Sequence, residues 1–202
     1  MVPLVILSIA AVAIIAERCW ALRRKNILPP NLGNELRQWI RTHRMEKEHL
    51  QKLKGNSPLG MVLASVVANR HRAREVVREK VEEAGRQQVH EMGRFLNTLG
   101  TIAIVSPLMG LLGTVFGLIK MFLVITNVGI GDANRLAGGI GEALVATSAG
   151  LVVAIVAYIS HRALRGRINN YAIEMEREAA ALIDAFEHPE PSAPAPPVRR
   201  AL

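Results

Sequence analysis

Between Thr98 and Ile159 the sequence holds two apolar segments joined by a short polar turn, and the second of them carries a carboxylate, Glu142, among glycines, alanines and threonines. The first reads TLGTIAIVSPLMGLLGTVFGLIKMFLVIT and the second LAGGIGEALVATSAGLVVAIVAYI. About 20 helical residues cross the hydrocarbon core of a bilayer, so each segment is long enough to span. An ionisable group at that depth is costly and points at a bundle interior, a partner charge or a water-filled path. Glu142 is therefore the first candidate functional residue.

Half of the 202 residues are hydrophobic, yet the net charge is +8. That combination fits a membrane protein with basic cytoplasmic parts. Nucleic-acid binding would need a basic stripe interleaved with aromatics, and aromatics make up only 4%. A single cysteine, Cys19, excludes an intramolecular disulfide, and the six histidines show no metal-ligand spacing. No phosphate loop, nucleophile elbow or dinucleotide fingerprint is present. The expectation is no enzyme, no cofactor and no metal.

A third membrane segment is predicted at 1–16 (MVPLVILSIAAVAIIA). It lacks the positive n-region of a secretory signal, and its charges follow the apolar run, which favours an uncleaved helix. The stretch 17–97 carries 17 Lys and Arg and the chain after Ile159 carries 6 more, leaving only Lys120 and Arg135 elsewhere. Both basic regions are expected in the cytoplasm, with the amino terminus and the 127–135 turn on the opposite side of the membrane. The spans are placed at 1–16, 98–126 and 136–159.

Outside the membrane the apolar spacing is helical. Leu32, Leu36, Trp39 and Ile40 mark one amphipathic helix, and Ser57-Pro58 starts another over Leu59, Val62, Leu63, Val66 and Val67. From Val77 to Leu99 the pattern runs into the second span, and from Leu164 to Phe186 it continues out of the third. The expected fold is an all-α integral membrane protein with three transmembrane helices, the second and third extended into a cytoplasmic helical bundle. It comprises a cytoplasmic helical region at 17–97, an extension at 160–187 and a disordered Pro- and Ala-rich tail at 188–202.

The spans carry small faces: Gly110, Gly113 and Gly117 in the second, Gly138, Gly139 and Gly150 in the third. In lipid such faces mark helix contacts, because association rests on close packing and interhelical hydrogen bonds. At 1.5 Å per residue from inner edges at Leu99 and Ile159, Thr114 lies about 22 Å outward, Thr147 about 18 Å and Glu142 about 26 Å. The three share a layer in the outer half of the membrane. Two readings stay open for each. The threonines back-bond to their own helices or line a pore; Glu142 pairs with Lys120 or Arg135, or lies on a proton or cation path. Lys120, about 32 Å out, is expected to snorkel to the outer surface.

LMGLLGTVFGLIKMF and GGIGEALVATSAGLVVAIVAY, with ERCWALRRKNILPP and FLNTLGTIAIVSPLMG, resemble the MotA/TolQ/ExbB proton-channel family, most closely its ExbB and TolQ branch. The resemblance implies a pentameric homo-oligomer in a bacterial inner membrane around an ExbD- or TolR-like single-span partner, which carries the family's essential aspartate. Proton flow there powers a TonB- or TolA-like protein. By motif position the resemblance assigns the pore threonines to Thr114 and Thr147 and the buried glutamate to Glu142. Gly141 stands where the family has Ser or Ala, and Val156 where it has the Pro of AIPA. The rival reading is a structural scaffold with Glu142 as an internal ion-pair residue. A solute transporter is disfavoured by the absence of inverted repeats.

Overall fold

The computed structural model describes residues 2–30, 32–33, 35–36, 53, 55, 57–128 and 133–187. Among them six helices are delimited and there is no strand: α1 (Val2–Ala21), α2 (Arg24–Ile27), α3 (Pro58–Asn69), α4 (Arg74–Met92), α5 (Leu96–Val128) and α6 (Ala133–Glu187). Three of these, α1, α5 and α6, contain stretches long and apolar enough to cross a membrane. Trp39 and Ile40 of the first amphipathic helix, the 188–202 tail and the centre of the 127–135 turn lie outside the described residues.

The chain divides into two compact units, one of residues 1–23 and 92–168, the other of 24–91 and 169–202. In the first, α1 lies against α5. It buries Leu4, Ala11 and Arg18, seven residues apart along one stripe, and leaves Val2, Val5, Ile6, Ile9 and Val12 outward. Pro3 is tolerated because the first helical turn has no backbone N–H bond to lose. The helix continues past the predicted 1–16 span through Glu17, Arg18 and Trp20 to Ala21.

Helices α5 and α6 pack antiparallel through small residues, close enough for backbone to approach backbone. A Cβ at Gly113 would stand 2.5 Å from the Ala146 Cβ, and one at Gly117 2.7 Å from the Ala143 Cβ. At Gly150 it would meet the Ser106 carbonyl oxygen at 2.6 Å and the Gly110 Cα at 3.0 Å. A Cβ at Gly139 would fall at ordinary contact distance, 3.5 Å from the Gly117 carbonyl oxygen and 3.6 Å from the Met121 Cβ. Gly138, expected on this packing face, instead looks into open space within the single chain. Helix α5 runs unbroken through Pro107, and the buried Ser106 hydroxyl donates to the Ile102 carbonyl at 2.7 Å.

In the second unit, Ser57 caps α3 by accepting the Gly60 N–H at 3.1 Å, and Pro58 occupies the first turn. A side chain at Gly60 would collide with the Leu53 carbonyl. Leu59, Val62, Leu63, Val66 and Val67 are buried, as are Leu32 and Leu36, and from the distal part of α6 so are Met175, Ala179 and Leu182. Salt bridges Arg24–Glu174 at 2.8 Å and Arg74–Asp184 at 3.0 Å reach α6 from its neighbours. Lys80 and Glu83 hydrogen-bond at 2.8 Å, which holds the carboxyl below and the ammonium above their ordinary ranges; the pair lies in open solvent.

The second span does not continue into α4 as the apolar spacing predicts. Helix α4 stops at Met92, residues 93–95 form a turn, and Phe95 takes φ 63°, the left-handed region. Gly93 directly after the last helical residue is a helix-ending signal that the 3.6-residue pattern conceals. A left-handed non-glycine residue costs roughly 1–2 kcal/mol. The guanidinium groups of Arg18 and Arg94 stand 5.4 Å and 4.9 Å from the Phe95 ring centre, within cation–π range. Arg18 also reaches the Met92 carbonyl at 3.4 Å and the Glu17 carboxylate at 2.7 Å. The third span, by contrast, is continuous with its extension, because nothing between Gly150 and Glu187 ends the 55-residue α6.

Adding a methyl at Gly150 must push α5 and α6 apart, since the obstacle is a carbonyl and a Cα. Gly150→Ala is expected to lose about 1–3 kcal/mol, the usual cost of overpacking. Gly166→Ala, where a Cβ meets nothing, serves as the control. Thermal unfolding in mild detergent should place Gly150→Ala clearly below both the control and the parent. Equal melting temperatures would refute the close backbone contact.

Candidate functional site

The register of α5 on α6 decides which polar residues meet. Gly110 faces Ala146 and Thr147, Gly113 faces Ala146, and Gly117 faces Ala143 and Gly139, so the paired residue numbers sum to nearly the same value along the contact. Extending that register outward brings Lys120 level with the backbone near Gly138, four residues from Glu142. Helical side chains lean toward their own N-terminus. In antiparallel helices Lys120 and Glu142 therefore lean toward one another, which closes the axial offset of about 6 Å.

They meet fully. The Lys120 Nζ donates to both carboxylate oxygens of Glu142, Oε1 and Oε2, each at 2.9 Å. The side chains remain 61% and 53% exposed, so in the single chain this charge pair stands on the surface of the α5–α6 pair. The expectation that Lys120 reaches away to the outer surface is corrected: its ammonium turns back to Glu142. The surroundings of Glu142 are also more open than the small-residue pattern suggests. A Cβ at neighbouring Gly138 or Gly141 would touch nothing within 4 Å.

The two threonines differ. Thr114 donates its hydroxyl to the Leu111 carbonyl of its own helix at 2.6 Å. Thr147 crosses the interface and donates to the Gly110 carbonyl of α5 at 3.2 Å. In both, the hydroxyl hydrogen is committed to a carbonyl, so what each oxygen still offers is acceptor capacity. The structure thus places Thr147 in the helix contact, Glu142 with Lys120 toward the α5–α6 turn, and Thr114 with its own backbone. At the other end of the α5–α6 contact, the His161 imidazole lies opposite Gly100, 3.3 Å from where a Cβ would be.

Lys120 is the partner that residue-by-residue reading left open. The signal that singles it out is the glycine register, since facing small residues set the axial alignment on which any ion pair depends. Among the described residues no group of three or more His, Cys, Asp and Glu is gathered to hold a metal. In the second unit a groove of about 680 Å³ runs along α4 and distal α6, with Val81, Val89 and Met175 inside and Arg78 and Glu176 on its walls. It shares no residue with the threonine–glutamate layer.

The MotA/TolQ/ExbB proton channel family matches residues 38–177 of the chain. The chain is 33% identical over 170 residues to an ExbB-like biopolymer transport protein (ExbB-like 1) of Synechocystis sp., covering 81% of this chain and 66% of that protein. It is 37% identical over 92 residues to the biopolymer transport protein ExbB of Salmonella typhimurium, covering 46% of this chain and 38% of that one. It is 38% identical over 88 residues to the Tol-Pal system protein TolQ of Haemophilus influenzae, covering 44% and 37%. The chain therefore spans just under two thirds of the first relative and well under half of the other two.

The unequal bonding of the threonines is testable. Thr147→Val removes an interhelical hydrogen bond and leaves the Gly110 carbonyl short of one donor, for a loss of roughly 0.6–1.7 kcal/mol in a membrane setting. Thr114→Val removes only a local back-bond and is expected to be within about 0.5 kcal/mol of the parent. Melting temperatures in detergent should rank Thr147→Val below Thr114→Val; the reverse order would contradict the geometry.

Proposed function

This chain belongs to the MotA/TolQ/ExbB proton channel family, in its ExbB/TolQ branch, and we propose that it is the ring-forming subunit of an inner-membrane proton channel that energises transport. In this reading several copies, five by family resemblance, surround the single transmembrane helix of an ExbD- or TolR-like subunit. Proton flow between them drives a TonB- or TolA-like protein across the periplasm. The amino terminus is periplasmic and the basic regions are cytoplasmic, the arrangement the Lys and Arg distribution favours.

One observation carries the reading: the Glu142 carboxylate and the Lys120 ammonium stand paired and exposed on the α5–α6 pair, toward the outer end of the two spans. Something polar must cover them, either water or another chain. Glu142, Thr147 and Thr114 then form the wall of a wet path. The threonine oxygens, their own hydrogens already given to carbonyls, accept hydrogen bonds from water that carries the proton. No group in this wall is asked to hold a proton through the whole crossing. An acid on the central partner does that, so this chain supplies an incomplete channel by itself.

A second reading has its own support. Both oxygens of Glu142 are occupied by Lys120, which suits a scaffold whose charge pair only ties α5 to α6. Glu142→Gln separates the two, because it keeps the shape and removes the charge. If the path runs here, co-expression with the single-span partner still yields the ring by size-exclusion chromatography. Proton uptake into vesicles then falls at least tenfold, equivalent to about 1.4 kcal/mol of barrier. A scaffold role predicts the opposite, a weakened ring whose surviving fraction moves protons as before. Unchanged assembly with unchanged flux removes Glu142 from both.

A further inference from the structure

A bare carboxylate near the mouth of a cation path attracts every cation in reach. Copies of this chain arranged in a ring would place one Glu142 per copy around that mouth, and a ring of carboxylates concentrates and coordinates metal cations as readily as it attracts protons. The geometry here prevents that. Lys120 belongs to the same chain as Glu142, is fixed by the same α5–α6 contact, and occupies both carboxylate oxygens at 2.9 Å. A sodium or potassium ion needs several oxygen ligands in place of its water, and the carboxylate is the strongest one available in this layer. With the ammonium seated, a second cation meets a ligand whose charge is neutralised and whose two oxygens are already engaged.

The loss of the carboxylate as a ligand does not exclude protons in the same way. A proton moves by exchange along hydrogen-bonded water and hydroxyl groups and needs no coordination shell of its own. The Thr147 and Thr114 oxygens keep acceptor capacity whether or not Glu142 is paired. We propose that Lys120 is a specificity-determining residue, a tethered cation that neutralises Glu142 and excludes alkali metal ions from the path while leaving the proton route open. The inference rests on the channel reading above for its purpose, but its physical content, the occupancy of the Glu142 site by Lys120, is measurable apart from any flux.

Two features make the pair suited to this role. The close approach of Gly113 and Gly117 to Ala146 and Ala143 sets the axial register, which brings the Lys120 side chain within reach of Glu142. The side chains are also exposed, at 61% and 53%, so the pair faces the medium that a permeating ion would occupy.

The test uses the full-length chain purified as its native assembly in mild detergent, with sodium chloride compared against choline chloride at equal ionic strength. The melting temperature of the parent should be the same in both salts. Lys120→Met and Lys120→Gln, which empty the site, should each acquire a sodium-specific rise in melting temperature, with at least tenfold tighter sodium binding than the parent. Lys120→Met combined with Glu142→Gln should lose the rise, and Lys120→Arg, which restores the charge, should show none. A mere latch between helices would lower stability equally in both salts.

Absence of any sodium-specific effect in both Lys120→Met and Lys120→Gln overturns the inference. So does a parent already sensitive to sodium, or loss of assembly in both variants, which would make Lys120 a structural latch. The channel reading fails on a different measurement: parent rings with their single-span partner that move no protons into vesicles.

Discussion

The closeness of α5 to α6 is the constraint from which the other features follow. In water two apolar helices associate because solvent is expelled; in lipid that drive is missing, and contact must come from packing and interhelical hydrogen bonds. Gly113, Gly117 and Gly150 meet Ala146, Ala143 and the Ser106–Gly110 turn at distances no additional side chain can share. That proximity brings the Thr147 hydroxyl to a carbonyl of the neighbouring helix, and it sets the register that puts Lys120 on Glu142. A shift of one helical turn, about 5.4 Å, would break both.

What sequence alone makes legible follows from how local each signal is. Three spans are readable because an unbroken apolar run of that length is seldom compatible with a water-soluble fold, and the glycine faces are readable because lipid-facing positions have no need of them. Gly138 shows the limit of that logic: it belongs to the same glycine-rich segment, yet it points away from the contact. The junction at 93–95 is hidden for a different reason. Hydrophobic periodicity records which face is buried, and a short turn that preserves the phase leaves the pattern intact. Only Gly93 hints at the break, and a left-handed phenylalanine is not a conformation its residue type announces. Glu142 stands out by its chemistry, whereas its partner does not, because the choice between Lys120 and Arg135 depends on axial register.

The two arginine–aromatic contacts at Phe95 and the lysine–glutamate pair solve one problem in different ways. Arg18 is 8% exposed, so its charge is satisfied from several sides at once, by Glu17, the Met92 carbonyl and the Phe95 ring. Burial makes such a group expensive to disturb, since removing any partner leaves a desolvated charge. Lys120 and Glu142 are paired with each other and remain open. An exposed pair of this kind contributes little to stability. Its placement is therefore poorly accounted for by folding energy alone.

That difference bears on how the two halves of the first unit divide their tasks. The α1–α5 side is tied by Arg18 and the Phe95 turn within one chain, and what it leaves outward, Val2, Val5, Ile6, Ile9 and Val12, is apolar. The α5–α6 side is finished only along its glycine seam; beyond the seam it presents Glu142, Lys120 and the open backbone at Gly138 and Gly141. In hydrocarbon an unfinished polar surface is a stronger demand for a neighbour than an unfinished apolar one, because lipid covers the second at no cost and the first only poorly. The surface least suited to lipid is thus the one bearing the charges. Polar groups or water suit that surface better than an apolar cover, which would leave the pair poorly solvated.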